Sequence, residues 1–219
     1  MMQLKPIKLL PARERVASAL RKTIISQDVN EGDQLTLESV AEQLGVSITP
    51  VREAFQMLES EGLIKLTPNK GAIVKGITPR SVREHFQIRA ALESEAALLV
   101  CQNEADLKKI RDIVEQSEIA VSEKQYDIYN NLNQAFHVAL WTASNNSRLK
   151  DMLSVMWNGL SMRYMESLED YAIKSLSEHK ELLRLLEDRN ADGARALMHK
   201  HIERSMQDML TNFDFKKER

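Results

Sequence analysis

Apolar residues recur at helical spacing along most of the chain, and the departures from that period fall in its first third. Val16, Leu20 and Ile24 repeat every fourth position, which predicts an amphipathic helix over about Ala12–Ser26 with those side chains inward. A loop through Gly32 follows. A short helix is expected over Leu37–Leu44, stopped by Gly45. A second one comes directly after it, with Thr49 as its cap and Pro50 at the first helical position, where a missing N–H costs nothing. Beyond Gly62 the apolar period shortens: Leu63–Leu66 and Ala72–Lys75 read as two strands joined by a turn through Thr67–Gly71. The predicted order is therefore a helix, a helix–turn–helix pair and a hairpin that would serve as a wing.

Thr78–Pro79 repeats the cap-plus-proline start signal, and no proline occurs after it. Six helical segments are expected from there: Pro79–Gln102, Glu104–Ser122, Tyr126–Ala143, Ser147–Glu169, Ala172–Asp188 and Ala191–Asn212, with polar breaks such as Ser144–Asn146 between them. Such segments pack naturally as an antiparallel bundle. Five of the seven glycines and all five prolines lie at or before Pro79, so turn-formers punctuate the first part and leave the second to long helices. The expected fold is mainly α, with a winged helix-turn-helix domain over residues 1–77 and an antiparallel all-helical bundle over residues 78–219.

Composition narrows this picture without supplying a function. The 219 residues, 43% of them hydrophobic, suffice for one large or two small cores. A formal charge of -2 gives no overall basic signature, so a nucleic-acid role must rest on local placement of charge. Residues 1–77 carry ten Lys and Arg against nine Asp and Glu, too little for tight binding of one copy by counterion release. Cys101 is the single cysteine and lies in the apolar stretch Ala96–Cys101, which fits a small buried thiol in a reducing compartment. Met1–Leu10 is too short and too interrupted for a signal peptide, and no run of about 18 apolar residues follows. A cytoplasmic protein with no membrane insertion is expected.

The stretch Leu44–Ala54, Leu-Gly-Val-Ser-Ile-Thr-Pro-Val-Arg-Glu-Ala, resembles the turn and recognition helix of the GntR family of bacterial regulators, and the resemblance continues through Leu58–Ile64 and Pro68–Val74. It implies a dimeric repressor or activator that binds double-stranded DNA at a palindromic operator. A recognition helix meets the major groove with its N-terminal turn, where free N–H groups and the positive dipole end also favour phosphate. Ser47 and Thr49 sit at that end, and Arg52, one turn in, has the reach and donor fork for a guanine edge or a phosphate. Lys70 and Gly71 would let the wing tip approach the backbone. Taken alone, Ser47 and Thr49 could simply cap a helix and Arg52 could pair with a carboxylate; the surrounding motif favours the DNA reading. Many members carry arginine where this chain has Ile48, so a thymine methyl contact and a different operator preference are expected.

Downstream, Arg89–Glu93, Asn133–His137, Ser144–Asn146, Glu178–His179 and Met198–Ile202 resemble the FCD effector domain of the FadR branch, and six helices rather than seven fit its shorter, VanR-like form. The resemblance implies a small-molecule effector and a divalent metal. Asn133 and His137 share a helix face, and His179 and His201 come from two helices that a bundle can bring opposite. Three imidazoles and one oxygen suit zinc, nickel or manganese, with Asn133 a weaker ligand than the aspartate at that position in other members. Metal affinity would fall as pH drops through about 6.5, because neutral imidazole is required. Arg89 admits two readings: an exposed i,i+4 ion pair with Glu93, or an inward clamp for an effector carboxylate. His85 and His199 are expected at the surface or behind the ligands, and Trp141, Trp157 and Tyr164 in the core.

The expected function is a transcription regulator whose operator binding responds to a small carboxylic acid. The competing class is a metal-dependent hydrolase using the same histidines, for which only Glu178 could serve as the base. It adjoins His179 and so is expected on another face of its helix. No nucleophile elbow, Walker loop or dinucleotide fingerprint occurs, and an enzyme is not expected.

Overall fold

A computed structural model describes residues 11–25, 28–68, 70–157 and 168–212. The sequence-based readings of Asn69, Tyr164 and Met1–Leu10 lie outside them. The chain divides into two compact units, residues 1–78 and 79–219.

The first unit runs α1 (Ala12–Ile25), β1 (Gln34–Leu35), α2 (Leu37–Leu44), α3 (Ile48–Ser60), β2 (Ile64–Thr67) and β3 (Gly71–Val74). Val16, Ala17, Leu20 and Ile24 of α1 bury against Val51, Ala54, Phe55 and Leu58 of α3, which is the fourfold spacing read from the sequence. Gly45 closes α2 at φ 63, a left-handed conformation that spares glycine the Cβ clash and lets Val46 N–H reach Ala41 O at 3.0 Å. One expectation is corrected here. The cap of α3 is Ser47, in extended backbone and without a side-chain cap bond, so Thr49 and Pro50 lie inside the first turn rather than at its edge.

The sheet is antiparallel with order β1-β3-β2, and Ala72 stands opposite both Leu35 and Leu66. β1, only two residues long, was not expected. Gly71 opens β3 at φ 88, where a Cβ would come within 2.0 Å of the Leu35 carbonyl oxygen, so close pairing of β1 with the wing requires glycine. Gln34 fastens the same corner by donating its side-chain amide to Lys70 O at 2.9 Å.

The second unit contains, among the described residues, α4 (Pro79–Gln102), α5 (Lys108–Ser122), α6 (Tyr126–Ala143), α7 (Ser147–Met156), α8 (Leu168–Glu187) and α9 (Ala191–Asn212). α4 is central and packs on α6, α7, α8 and α9. Several boundaries differ from expectation, and α8 begins at Leu168 rather than Ala172. α5 begins at Lys108 rather than Glu104, because Glu104 itself adopts φ 50 and Asp106 accepts from Lys108 N–H at 2.9 Å. α7, expected to continue to Glu169, ends where Trp157 turns to ψ 93. Asn146 starts that helix by accepting from Leu149 N–H at 3.1 Å.

Candidate functional site

Within the second unit, α6 supplies His137, α8 His179 and α9 His201, all buried, with candidate ligand nitrogens within 4.8 Å of one another. Asn133 is buried one turn before His137 on the same helix. His179 lies flat on the Phe136 ring, centroids 3.9 Å apart at 13°, and its Nε2 is buried with no hydrogen bond among the described residues. A buried nitrogen without a partner is costly unless something fills its lone pair. That atom and the three-imidazole donor set fit a divalent ion.

The other two imidazoles are held from behind. His137 Nδ1 lies 2.5 Å from Glu93 Oε2, and His201 Nδ1 lies 2.6 Å from Glu178 Oε2. A carboxylate can only accept, so each Nδ1 carries the proton and each Nε2 keeps its lone pair for a ligand. Sequence reading missed both partners. Glu93, fully buried, also accepts from Arg89 Nε at 2.6 Å and from Trp141 Nε1 at 3.0 Å. Burial pushes the Glu93 carboxyl upward, but the charges of His137 and Arg89 and the hydrogen bonds outweigh it and hold it well below the usual range. For Glu178, burial also acts upward, and hydrogen bonds from His201 and Arg204 bring it down to about 2. Burial lowers His137 to about 4 against the pull of Glu93, and it lowers His179 well below its ordinary value.

The structure corrects the exposed ion-pair reading of Arg89. The residue does pair with Glu93, but inside the bundle, with its guanidinium carbon 4.4 Å from the Trp157 ring centroid. Trp157, expected as plain core, thereby becomes part of the site, 5.1 Å from the His137 ring. His199 is exposed beside Glu203. His85, one turn before Arg89, has a wholly buried Nε2 without a hydrogen bond among the described residues, and burial lowers it to about 4. Glu178, contrary to expectation, faces the cluster through His201 on the neighbouring helix, and its bonds to His201 and Arg204 leave it poorly placed as a hydrolytic base.

In the first unit, Arg52, Gln56, Gln34, Lys70 and Gly71 line one groove between α3 and the wing. Ser47, Ile48 and Thr49 are exposed at the start of α3, together with Arg52 one turn further on. The structure thus gathers Arg52, Lys70 and Gly71 and places Ser47 and Thr49 at the free helix end.

Residues 12–74 match the model of the bacterial regulatory proteins of the gntR family, and residues 84–204 match the FCD domain. The HTH-type transcriptional regulator YdhC of Bacillus subtilis is 29% identical over 181 residues, covering 80% of this chain and 81% of that one. The HTH-type transcriptional regulator McbR of Escherichia coli is 29% identical over 189 residues, 83% of this chain and 85% of its own. The solved structure of Escherichia coli McbR superposes with a TM-score of 0.72 over 94% of this chain and 100% of that chain, at 23% identity, and shares the fold. The metal-free FCD domain of TM0439 shares the fold of the second unit's region, with a TM-score of 0.55 at 17% identity over 63% of this chain and 96% of that one. Matched in both of its units, the chain belongs to the gntR family of bacterial regulatory proteins, with an FCD domain, and is a transcriptional regulator rather than an enzyme.

Proposed function

We propose that the protein, as a homodimer, binds a palindromic operator through Ser47, Thr49, Arg52, Lys70 and Gly71, and that a small carboxylic acid controls this binding from a metal centre formed by Asn133, His137, His179 and His201. The observation that carries the metal reading is the meeting of three buried imidazoles, two of them backed by carboxylates, around the unbonded Nε2 of His179. A divalent ion such as zinc, nickel or manganese, when bound, supplies a Lewis-acidic contact for an anionic oxygen. Arg89 commits Nε to Glu93 and one face to Trp157, and its terminal nitrogens are the edge that a carboxylate would take. Support for the dimer is geometric: reading a palindrome requires two recognition helices about 34 Å apart.

The test joins both halves of the reading. Purified protein without a histidine tag should contain one divalent ion per chain, and His179→Ala, left with two imidazoles, should contain far less. Mobility shift on the DNA upstream of the protein's own gene should change on adding a chelator. Equal metal content in the two proteins, or none in either after incubation with zinc, nickel and manganese, would return the histidines to an ordinary packing role.

A further inference from the structure

The three imidazoles are not held alike. His179 stacks on Phe136 and has no carboxylate partner among the described residues, whereas His137 and His201 each stand at the end of a chain that runs arginine, carboxylate, imidazole. One chain, Arg89–Glu93–His137, includes the arginine assigned above to the effector. The other, Arg204–Glu178–His201, has no such assignment. Arg204 donates to Glu178 twice, Nε to Oε1 and Nη2 to Oε2, both at 2.7 Å. It also reaches Asp208 at 2.5 Å and Ser175 Oγ at 2.8 Å, and its guanidinium carbon lies 5.3 Å from the Tyr171 ring centroid. A planar fork fixed at this many points holds both oxygens of Glu178 in one orientation, which a flexible ammonium would not do. Glu178 Oε2 in turn accepts from His201 Nδ1 at 2.6 Å.

We infer that Glu178 and Arg204 are positioning residues of the histidine cluster: together they fix the tautomer and ring orientation of His201, so that the site's metal affinity depends on an arginine–carboxylate pair that does not itself ligate. This rests on the reading of the cluster as a metal centre. The physical ground is general. A neutral imidazole has one lone pair, and a carboxylate on Nδ1–H places it on Nε2 and stops the ring from turning away. Without Glu178, His201 is free to carry its proton on either nitrogen. Without Arg204, Glu178 keeps its charge but loses its fixed direction. Both side chains are about one-fifth exposed, at the edge of the unit rather than in its core, so their replacement leaves the apolar packing in place.

The measurement is zinc affinity by competition with a chromophoric chelator, on the full-length chain and on Glu178→Gln, Arg204→Gln and Arg204→Lys. Visible absorption of the cobalt-loaded proteins is recorded alongside, to report ligand geometry. Glu178→Gln and Arg204→Gln should bind zinc about 10–100-fold more weakly and change the cobalt spectrum, while the metal-free far-ultraviolet circular dichroism stays as in wild type. Arg204→Lys, which retains the charge without the fork, should fall between. It carries the test should Glu178→Gln fail to fold. Zinc affinities within threefold of wild type and an unchanged cobalt spectrum in the folded variants would overturn the positioning role and leave the metal centre standing. A wild-type protein that takes up no zinc, nickel or manganese would instead remove the metal centre, and the inference with it.

Discussion

Arg52 is exposed on α3 and shares a groove with Lys70 and Gly71, while the buried face of the same helix is carried by Val51, Ala54, Phe55 and Leu58. Removing its side chain takes nothing from the core. Arg52→Ala is therefore expected to weaken specific operator binding by about 1–3 kcal/mol per protomer while the melting temperature stays put. Wild-type affinity in a mobility shift would show that α3 docks some other way. The groups in this surface were legible because a recognition helix presents its first turn in a fixed order of residues. Asn133 and His137 were legible as a pair from their local spacing on α6, while His179 and His201, on α8 and α9, were picked out only through the FCD resemblance. The residues behind them were not. Glu93 shows in the sequence only as an i+4 partner of Arg89, and nothing local says that the pair turns inward to meet His137 and Trp141 from another helix. Glu178 adjoins His179, and sequence adjacency pointed it away from the cluster. It reaches the cluster through His201, across a helix–helix contact that no spacing within α8 encodes.

At the scale of elements, the long periodic helices α4, α6 and α9 begin and end where their apolar spacing and caps place them. Misplaced boundaries came from features without a periodic signal. β1 has two residues and no alternation to read, and α7 stops at Trp157, with neither glycine nor proline there to announce it. The wing depends on one position in particular. At Gly71 an added methyl would meet the Leu35 carbonyl oxygen at 2.0 Å, in a backbone conformation at φ 88 that disfavours any side chain. Gly71→Ala should destabilise the first unit by at least about 2 kcal/mol and weaken DNA binding with it, because β1 and β3 can no longer pair at Leu35–Ala72. Urea denaturation followed by circular dichroism decides this; a midpoint equal to wild type would mean that the β1–β3 corner is looser than described.

For the whole molecule, no helix among the described residues is long and apolar enough to cross a membrane. The second unit buries imidazoles at a cost that depends on acidity. Burial lowers His137 and His85 to about 4, with the Arg89 charge adding to the effect at His85, and lowers His179 well below its ordinary value. An unfolded histidine titrates near 6.5. Between about pH 6.5 and 4 the unfolded chain thus binds more protons than the folded one, and stability falls as pH falls, by up to about 1.4 kcal/mol per pH unit for each such histidine. The metal-free protein should melt progressively lower as pH is taken from 7.5 to 5, and a flat profile would contradict the buried neutral rings.

The chain's two tryptophans, Trp141 and Trp157, both stand beside the histidine cluster, one bonded to Glu93 and the other against Arg89 and His137. All of the protein's indole fluorescence therefore originates beside the histidine cluster, and none comes from the first unit. On the proposed reading, a ligand taken up at Arg89 changes emission colour or yield without any attached dye. The first unit contains no tryptophan, so emission reports on the second unit while a mobility shift reports on operator binding.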